Sequence, residues 1–159
     1  MFTGIIETMG SVKAIVTEGK NIHFTIASAL SNELKVDQSV AHDGVCLTVV
    51  QLSEGTHVVT AIAETLRKTS LGRWQEGTQV NLERCMPMTG RFDGHIVQGH
   101  VDTIGKVTEV YEEDGSWRFF FEHEEFMEFM TVAKGSITIN GVSLTVVDSS
   151  PTGFSVAII

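Results

Sequence analysis

Cysteine is scarce in this chain. Two in 159 residues leave little basis for a disulfide framework. Cys46 lies inside an apolar run and Cys85 follows a charged one, as expected of free thiols in a reducing cytoplasm. Basic residues are also few: 11 Lys and Arg stand against 20 Asp and Glu, for a net charge of −9. That balance argues against nucleic acid and against anionic membrane surfaces as partners. No apolar run approaches the ~18 residues of a membrane span. The opening MFTGIIET has neither the basic start nor the long apolar stretch expected of a signal peptide. Helical periodicity is rare as well.

What the sequence does have, it has twice. Residues 43–50 read DGVCLTVV and residues 140–147 read NGVSLTVV, with six of eight letters identical at an offset of 97. Upstream, GIIETMGSV (Gly4 to Val12) returns as GHVDTIGKV (Gly99 to Val107) at an offset of 95. Two blocks in the same order at nearly the same offset imply a duplicated domain of ~95 residues. At 42% hydrophobic residues the chain has enough apolar material for two small cores. The junction is expected near Met86 to Asp93, where Pro87, Gly90 and Gly94 interrupt the pattern, giving domains at 1–92 and 93–159.

Short β-branched stretches dominate both halves: Ser11–Val16, Ile22–Ile26, Val45–Val50, His57–Ile62, Gln79–Glu83, Lys106–Val110, Trp117–Phe121, Ser136–Ile139 and Val142–Val147. EGKN, SEGT, EDGS and PTG punctuate them, which predicts an all-β chain of small sandwiches or barrels. Barrels are favoured because small sheets must hide their edges. One helix is expected over Glu122–Ala133, where Phe126, Phe129, Met130 and Ala133 recur at helical spacing before Gly135. Its counterpart lies around Ser28–Lys35, and another short helix around Glu64–Leu71. At the offset of 97, Ile159 corresponds to Ile62, so counterparts of Ala63 to Arg84 do not occur in the second copy. The natural chain is therefore expected to continue.

Strand alternation places Gly44, Cys46, Thr48 and Val50 on one face, with Val45, Leu47 and Val49 on the other. The second copy aligns Gly141, Ser143 and Thr145 in the same way. One such strand reads equally well as a half-solvated surface. Its recurrence favours a ligand that approaches the glycine backbone and bonds to the small polar groups. His95 and His100, in GHIVQGH, could be a metal pair. At five residues apart on a strand they would face opposite ways, and no third ligand is near, so no metal is expected. His95 reads as a plain surface or core histidine. His100 stands where the first copy has Ile5, and its imidazole suits proton transfer. Glu112 to Asp114 reads as a solvated turn, the glutamates of Glu122 to Glu128 as a solvated helix face, and Arg67 and Lys68 as a surface loop that could hold an anion.

The start MFTGIIE, the strand SVAHDGVCLTV, the segment ETLRKTSLG, the block DGHIVQGH and the second NGVSLTV, in this order across the whole chain, resemble the riboflavin synthases of bacterial and plant type. Asp93 before Gly94 departs from the second glycine common in that family. The resemblance implies two similar closed six-stranded Greek-key barrels, with short helices and the second barrel incomplete in this chain. It implies a dismutation in which two molecules of 6,7-dimethyl-8-ribityllumazine give riboflavin and a ribitylamino-pyrimidinedione, with no cofactor. The reacting pair would meet between subunits of a homotrimer. By position, the first site resembles Cys46, Leu47 and Thr48, the stretch Thr60, Ala61, Ile62, Ala63, Glu64 and Thr65, and Gly99, His100 and Val101, with Lys134 from a neighbouring subunit. The second site resembles Gly4, Ile5 and Ile6 with Ser143, Leu144, Thr145 and Ile159. Phe2, Ser39, Cys46 and His100 are the positions tied to catalysis. Two alternatives stay open: a non-catalytic lumazine- or flavin-binding protein of the same fold, and a metal-dependent β-barrel enzyme using His95 and His100.

Overall fold

The repeat read in the letters returns as strands at the same spacings in the computed structural model, which describes residues 1–125 and 130–159. The first copy holds β1 (Thr8–Glu18), β2 (Asn21–Ala27), β3 (Ser39–His42), β4 (Val45–Ser53), β5 (Thr56–Ala61) and β6 (Gln79–Arg84). The second holds β7 (Lys106–Glu113), β8 (Ser116–Glu122), β9 (Ser136–Ile139), β10 (Val142–Ser150) and β11 (Gly153–Ile158). β8 begins and ends 95 residues after β2, and β9, β10 and β11 lie 97 after β3, β4 and β5. The two extra residues of the second copy therefore fall between β8 and β9. Even irregularities repeat. The register shift between Val12 and Ala14 in β1 recurs between Val107 and Glu109 in β7.

β1 to β6 close into an antiparallel barrel in the order β1-β2-β5-β4-β3-β6, with β6 sealing it against β1. Closure buries a hydrophobic core, formed by Val12, Phe24, Ile26, Val40, Leu47, Val49, Val59, Leu71, Val80 and Leu82 among others. Trp74 meets Phe24 edge to face at 5.0 Å between ring centres. The second copy forms a five-stranded sheet in the order β7-β8-β11-β10-β9, in which no strand joins β7 to β9 among the described residues. It is far less buried: every residue of β7 is exposed. The all-β, duplicated-barrel expectation holds, with the second barrel open.

Both β3–β4 and β9–β10 turn through two residues. Asp43–Gly44 (φ 48° and 81°) and Asn140–Gly141 (φ 48° and 84°) supply the left-handed pair that such a hairpin needs. A short 3-10 turn, Ala29–Glu33, capped by the Ser28 hydroxyl, occupies the expected helical stretch of the first copy. α1 (Ala63–Lys68) and a 3-10 turn at Ser70–Arg73 occupy the other. The helix expected over Glu122–Ala133 does not form at its described ends. Glu122 completes β8, residues 123–125 and 130–132 are irregular, and Ala133 and Lys134 make a turn; residues 126–129 of that expectation lie outside the described residues. β3 and β11 were not among the nine strands expected. No helix of the described residues is long and apolar enough to cross a membrane.

Candidate functional site

The opening segment of each copy leaves its own sheet and lies against the other copy. Phe2 and Val97, equivalent under the 95-residue offset, exchange both backbone hydrogen bonds with each other, at 2.7 and 3.0 Å. Gly44 and Gly141, equivalent under the 97-residue offset, also meet. A Cβ added to Gly44 would sit 2.7 Å from the Gly141 nitrogen. Both contacts pair a residue with its own repeat partner, so they mark a local two-fold relation between the copies. Asn81 on β6 ties the two turn tips. Its backbone bonds Asp43, and its side-chain nitrogen donates to the Asn140 carbonyl at 3.0 Å. Burial raises the Asp43 carboxyl above its usual range.

On the first side of this axis the Cys46 amide donates to the Gly99 carbonyl at 2.9 Å. Gly99 has φ 82°, and a Cβ there would lie 2.7 Å from the Cys46 Cβ, so only glycine allows this approach. Cys46 packs with Cys85 against Phe2, Ala41 and Val97. Phe2 is fully buried, so its side chain supports this cluster from behind. Val101 packs on the core of the first barrel, which leaves its neighbour His100 exposed at the rim. Ser39 pairs with Thr48 across β3 and β4. Leu47 and Ala61 point into the core, so they offer backbone alone. Thr48, Ile62, Ala63 and Glu64 are exposed; Thr60 bonds His23 at 2.9 Å, and Thr65 lies in α1.

The second side mirrors the first and then departs from it. The Ser143 amide donates to the Gly4 carbonyl at 2.8 Å, and a Cβ on Gly4 (φ 78°) would strike Ser143 at 2.7 Å. Ile5 is exposed beside it, as His100 is beside Gly99. Ile6 reaches towards Gly141. Leu144 is half-buried and Thr145 exposed. The departure is His95. Its Nδ1 lies 2.7 Å from the Ser143 hydroxyl and its Nε2 3.0 Å from the Thr138 hydroxyl. Burial holds this imidazole below its ordinary pKa. His95 is thus not the plain histidine the sequence reading expected. Lys134 (φ 65°) stays with the second sheet, its amide bonded to Val146, and Ile159 is exposed past β11.

Sequence reasoning missed Glu83, the group that holds the opening segment in place. This buried carboxylate accepts from the Thr3 amide at 2.6 Å, the Thr3 hydroxyl at 2.7 Å and the Gly4 amide at 3.0 Å. No local signal could have found it, because its partners lie about eighty positions away. A hollow of about 270 Å³ lies elsewhere, against Phe120, Phe121, Asp148 and Phe154 of the open sheet.

The lumazine binding domain family matches the chain over residues 3–85 and again over 98–159. The riboflavin synthase of Actinobacillus pleuropneumoniae is 41% identical over 161 residues, covering all of this chain and 74% of that relative. The riboflavin synthase of Bacillus subtilis is 37% identical and that of Saccharomyces cerevisiae 38% identical; they cover 92% and 95% of this chain and 68% and 67% of those relatives. Among solved structures, LumP complexed with riboflavin superposes with a TM-score of 0.88 at 22% identity, covering 99% of this chain and 86% of that one. LumP complexed with 6,7-dimethyl-8-(1'-D-ribityl) lumazine does so with a TM-score of 0.88 at 20% identity. At those identities the likeness establishes the fold.

Proposed function

The chain belongs to the lumazine-binding domain family, and from that premise we propose that it is a riboflavin synthase, a transferase that dismutates 6,7-dimethyl-8-ribityllumazine. One lumazine gives a four-carbon unit to another, leaving riboflavin and 5-amino-6-ribitylamino-pyrimidinedione. Donor and acceptor balance each other's oxidation state, so the reaction itself calls for no redox cofactor. The observation that carries the reading is the reciprocal exchange at the junction. Each copy's glycine segment, Gly4 or Gly99, covers the other copy's small polar residue, Ser143 or Cys46. Such an arrangement yields two related ligand sites in one chain, as a reaction between two identical molecules needs.

The protein's task in that reaction is alignment and proton transfer. The 7-methyl protons of lumazine are acidic because the ring delocalises the resulting charge. In our reading the exposed His100, held beside Cys46 by Gly99, accepts such a proton. Cys46, Thr48 and the backbone of Leu47, with Thr60 to Thr65 and Val101, form the first site. Ser143, Leu144 and Thr145 with Gly4, Ile5 and Ile6 form the second. Phe2 and Ser39 support Cys46 and Thr48 from the flanking strand and cluster. We also propose that the protein works as a homotrimer, with Lys134 reaching a neighbour's first site, and that its two free cysteines belong in the cytoplasm.

The test is to incubate the purified protein with the lumazine alone and follow riboflavin and the pyrimidinedione. Their appearance in equal amounts supports the synthase. Tight lumazine binding without turnover supports a non-catalytic carrier of the same fold. Turnover that needs an added metal would point instead to a metal enzyme using His95 and His100. That last reading is weakened by the engagement of both His95 ring nitrogens with hydroxyls.

A further inference from the structure

We propose that His95 is a positioning residue of the second site, which sets whether the Ser143 hydroxyl donates or accepts towards the bound ligand. This rests on the reading of Ser143 as a lumazine contact.

His95 is gripped on three sides. Its amide donates to the Thr3 carbonyl at 3.0 Å, and Thr3 is itself anchored on Glu83. Its two ring nitrogens meet the Ser143 hydroxyl at 2.7 Å and the Thr138 hydroxyl at 3.0 Å. The preceding Gly94 makes the approach possible: a Cβ there would lie 2.9 Å from that of Ser143 and would also strike the Thr3 carbonyl. Ser143 cannot drift away, because its amide is bonded to Gly4. A hydroxyl held in this way has one proton and one remaining direction of use.

A neutral imidazole carries one N–H, so the chain Thr138–His95–Ser143 has two arrangements. In one, Nδ1–H donates to Ser143, whose proton then points to the ligand, while Thr138 donates to Nε2. In the other, Ser143 donates to Nδ1 and offers the ligand only lone pairs, while Nε2–H donates to Thr138. A pteridine ring presents both carbonyl acceptors and N–H donors at its edge. His95 therefore decides which of these edges Ser143 can hold. The first site has nothing comparable. The 95-residue offset gives His95 no partner in the first copy, and Cys46 sits instead in the apolar cluster of Phe2, Ala41 and Val97. The imidazole is thus a further difference between the two repeated sites.

The decisive experiment compares apparent KM and kcat for lumazine in the full chain and five variants: His95→Phe, His95→Asn, His95→Gln, Ser143→Ala and the double variant His95→Phe with Ser143→Ala. Asparagine can place its amide where Nδ1 is, and glutamine nearer to Nε2. Loss of the hydroxyl's partner should raise the apparent KM about tenfold in His95→Phe and His95→Gln, with kcat changing less, while His95→Asn stays within about twofold of the parent. In the Ser143→Ala background, His95→Phe should add less than about twofold, because the two act as one unit. Circular dichroism confirms folding, and the polar pair of variants decides the matter if His95→Phe does not fold. The proposal is overturned if His95→Gln leaves KM unchanged, if asparagine and glutamine behave alike, or if the His95 and Ser143 effects multiply in full. If the parent protein neither binds nor converts lumazine, the parent reading fails and takes this proposal with it. That outcome is seen before any variant is made.

Discussion

The two copies share strand spacings, a bulge and hairpin turns, yet among the described residues one is a closed barrel and the other an open sheet. β6 makes the difference, because it bonds β1 on one side and β3 on the other and so removes both edges. The interiors have diverged too. His42 and His57 of the first barrel are fully buried, joined to each other at 2.8 Å and to Ser31 at 2.8 Å. Their repeat partners are Ile139 and Phe154. The second interior instead stacks Phe121 on Phe154, while the opposite face of the sheet holds Arg118 against Asp148 and the buried Ser155. Duplication copied the backbone plan, while the side chains that fill it were free to change.

The sharpest way to break the comparison is at the paired positions His100 and Ile5. If only His100 moves a proton, His100→Ala should lower lumazine turnover by about 10²–10⁴ with little change in binding. Ile5→Ala should change it less than about tenfold, as lost packing would. Equal losses measured by steady-state kinetics would remove the division of labour.

Burial makes the next contrast. Phe24 is fully buried, whereas its partner Phe119 is half-buried. Phe24→Ala should cost about 3–5 kcal/mol in urea unfolding and Phe119→Ala about 1–2 kcal/mol. Similar costs would mean that the open sheet is as well packed as the barrel.

The buried histidine pair predicts a third difference. Desolvation lowers His42 to about 3, with the neighbouring His57 adding to it, and lowers His57 to about 4. In the unfolded chain both return to ~6.5. Between these values the unfolded state binds more protons, so stability is complete above ~6.5 and is lost as pH falls towards 3. At pH 5 the loss should reach about 2 kcal/mol for each histidine. Replacing both with their repeat partners, His42→Ile with His57→Phe, should flatten the acid side of the stability profile. An unchanged slope in denaturant titrations at pH 7 and pH 5 would show that the pair is not neutral in the fold.

The smallest effect expected is that of Glu83→Gln, which turns amide protons towards the Thr3 and Gly4 donors at a cost of about 1–3 kcal/mol. Because Gly4 covers Ser143 and not Cys46, this change should weaken ligand binding at the second site more than at the first. Lumazine titration of the variant, with the two sites resolved, checks it.

Much of this was legible in the letters. Nine strands were placed from β-branched runs, and the polar face of Cys46 and Thr48 from alternation, although Gly44 and Gly141, read as part of that face, lie in the two-residue turns. Two strands were not. β3 is four residues long with Val40, Ala41 and His42 all buried, so it shows no alternation. β11 buries Ser155 and Val156 side by side, so it shows no alternation either. The stretch after Glu122 read as a helix from its apolar spacing, yet at its described ends residues 123–125 and 130–132 are irregular, because spacing alone does not report what a segment packs against. His95 read as ordinary because Ser143 and Thr138 lie 48 and 43 positions away.

By itself the sequence determined the duplication, the all-β class and the two polar strand faces, because repeats and period-two patterns are local properties of a chain. The crossing of the opening segments to the opposite copy was implied by the family resemblance; only the tertiary structure decided that Glu83 anchors one of them and that an imidazole joins Ser143 to Thr138. Those contacts join residues far apart in the chain, and only the packing of one copy on the other brings them within hydrogen-bonding distance.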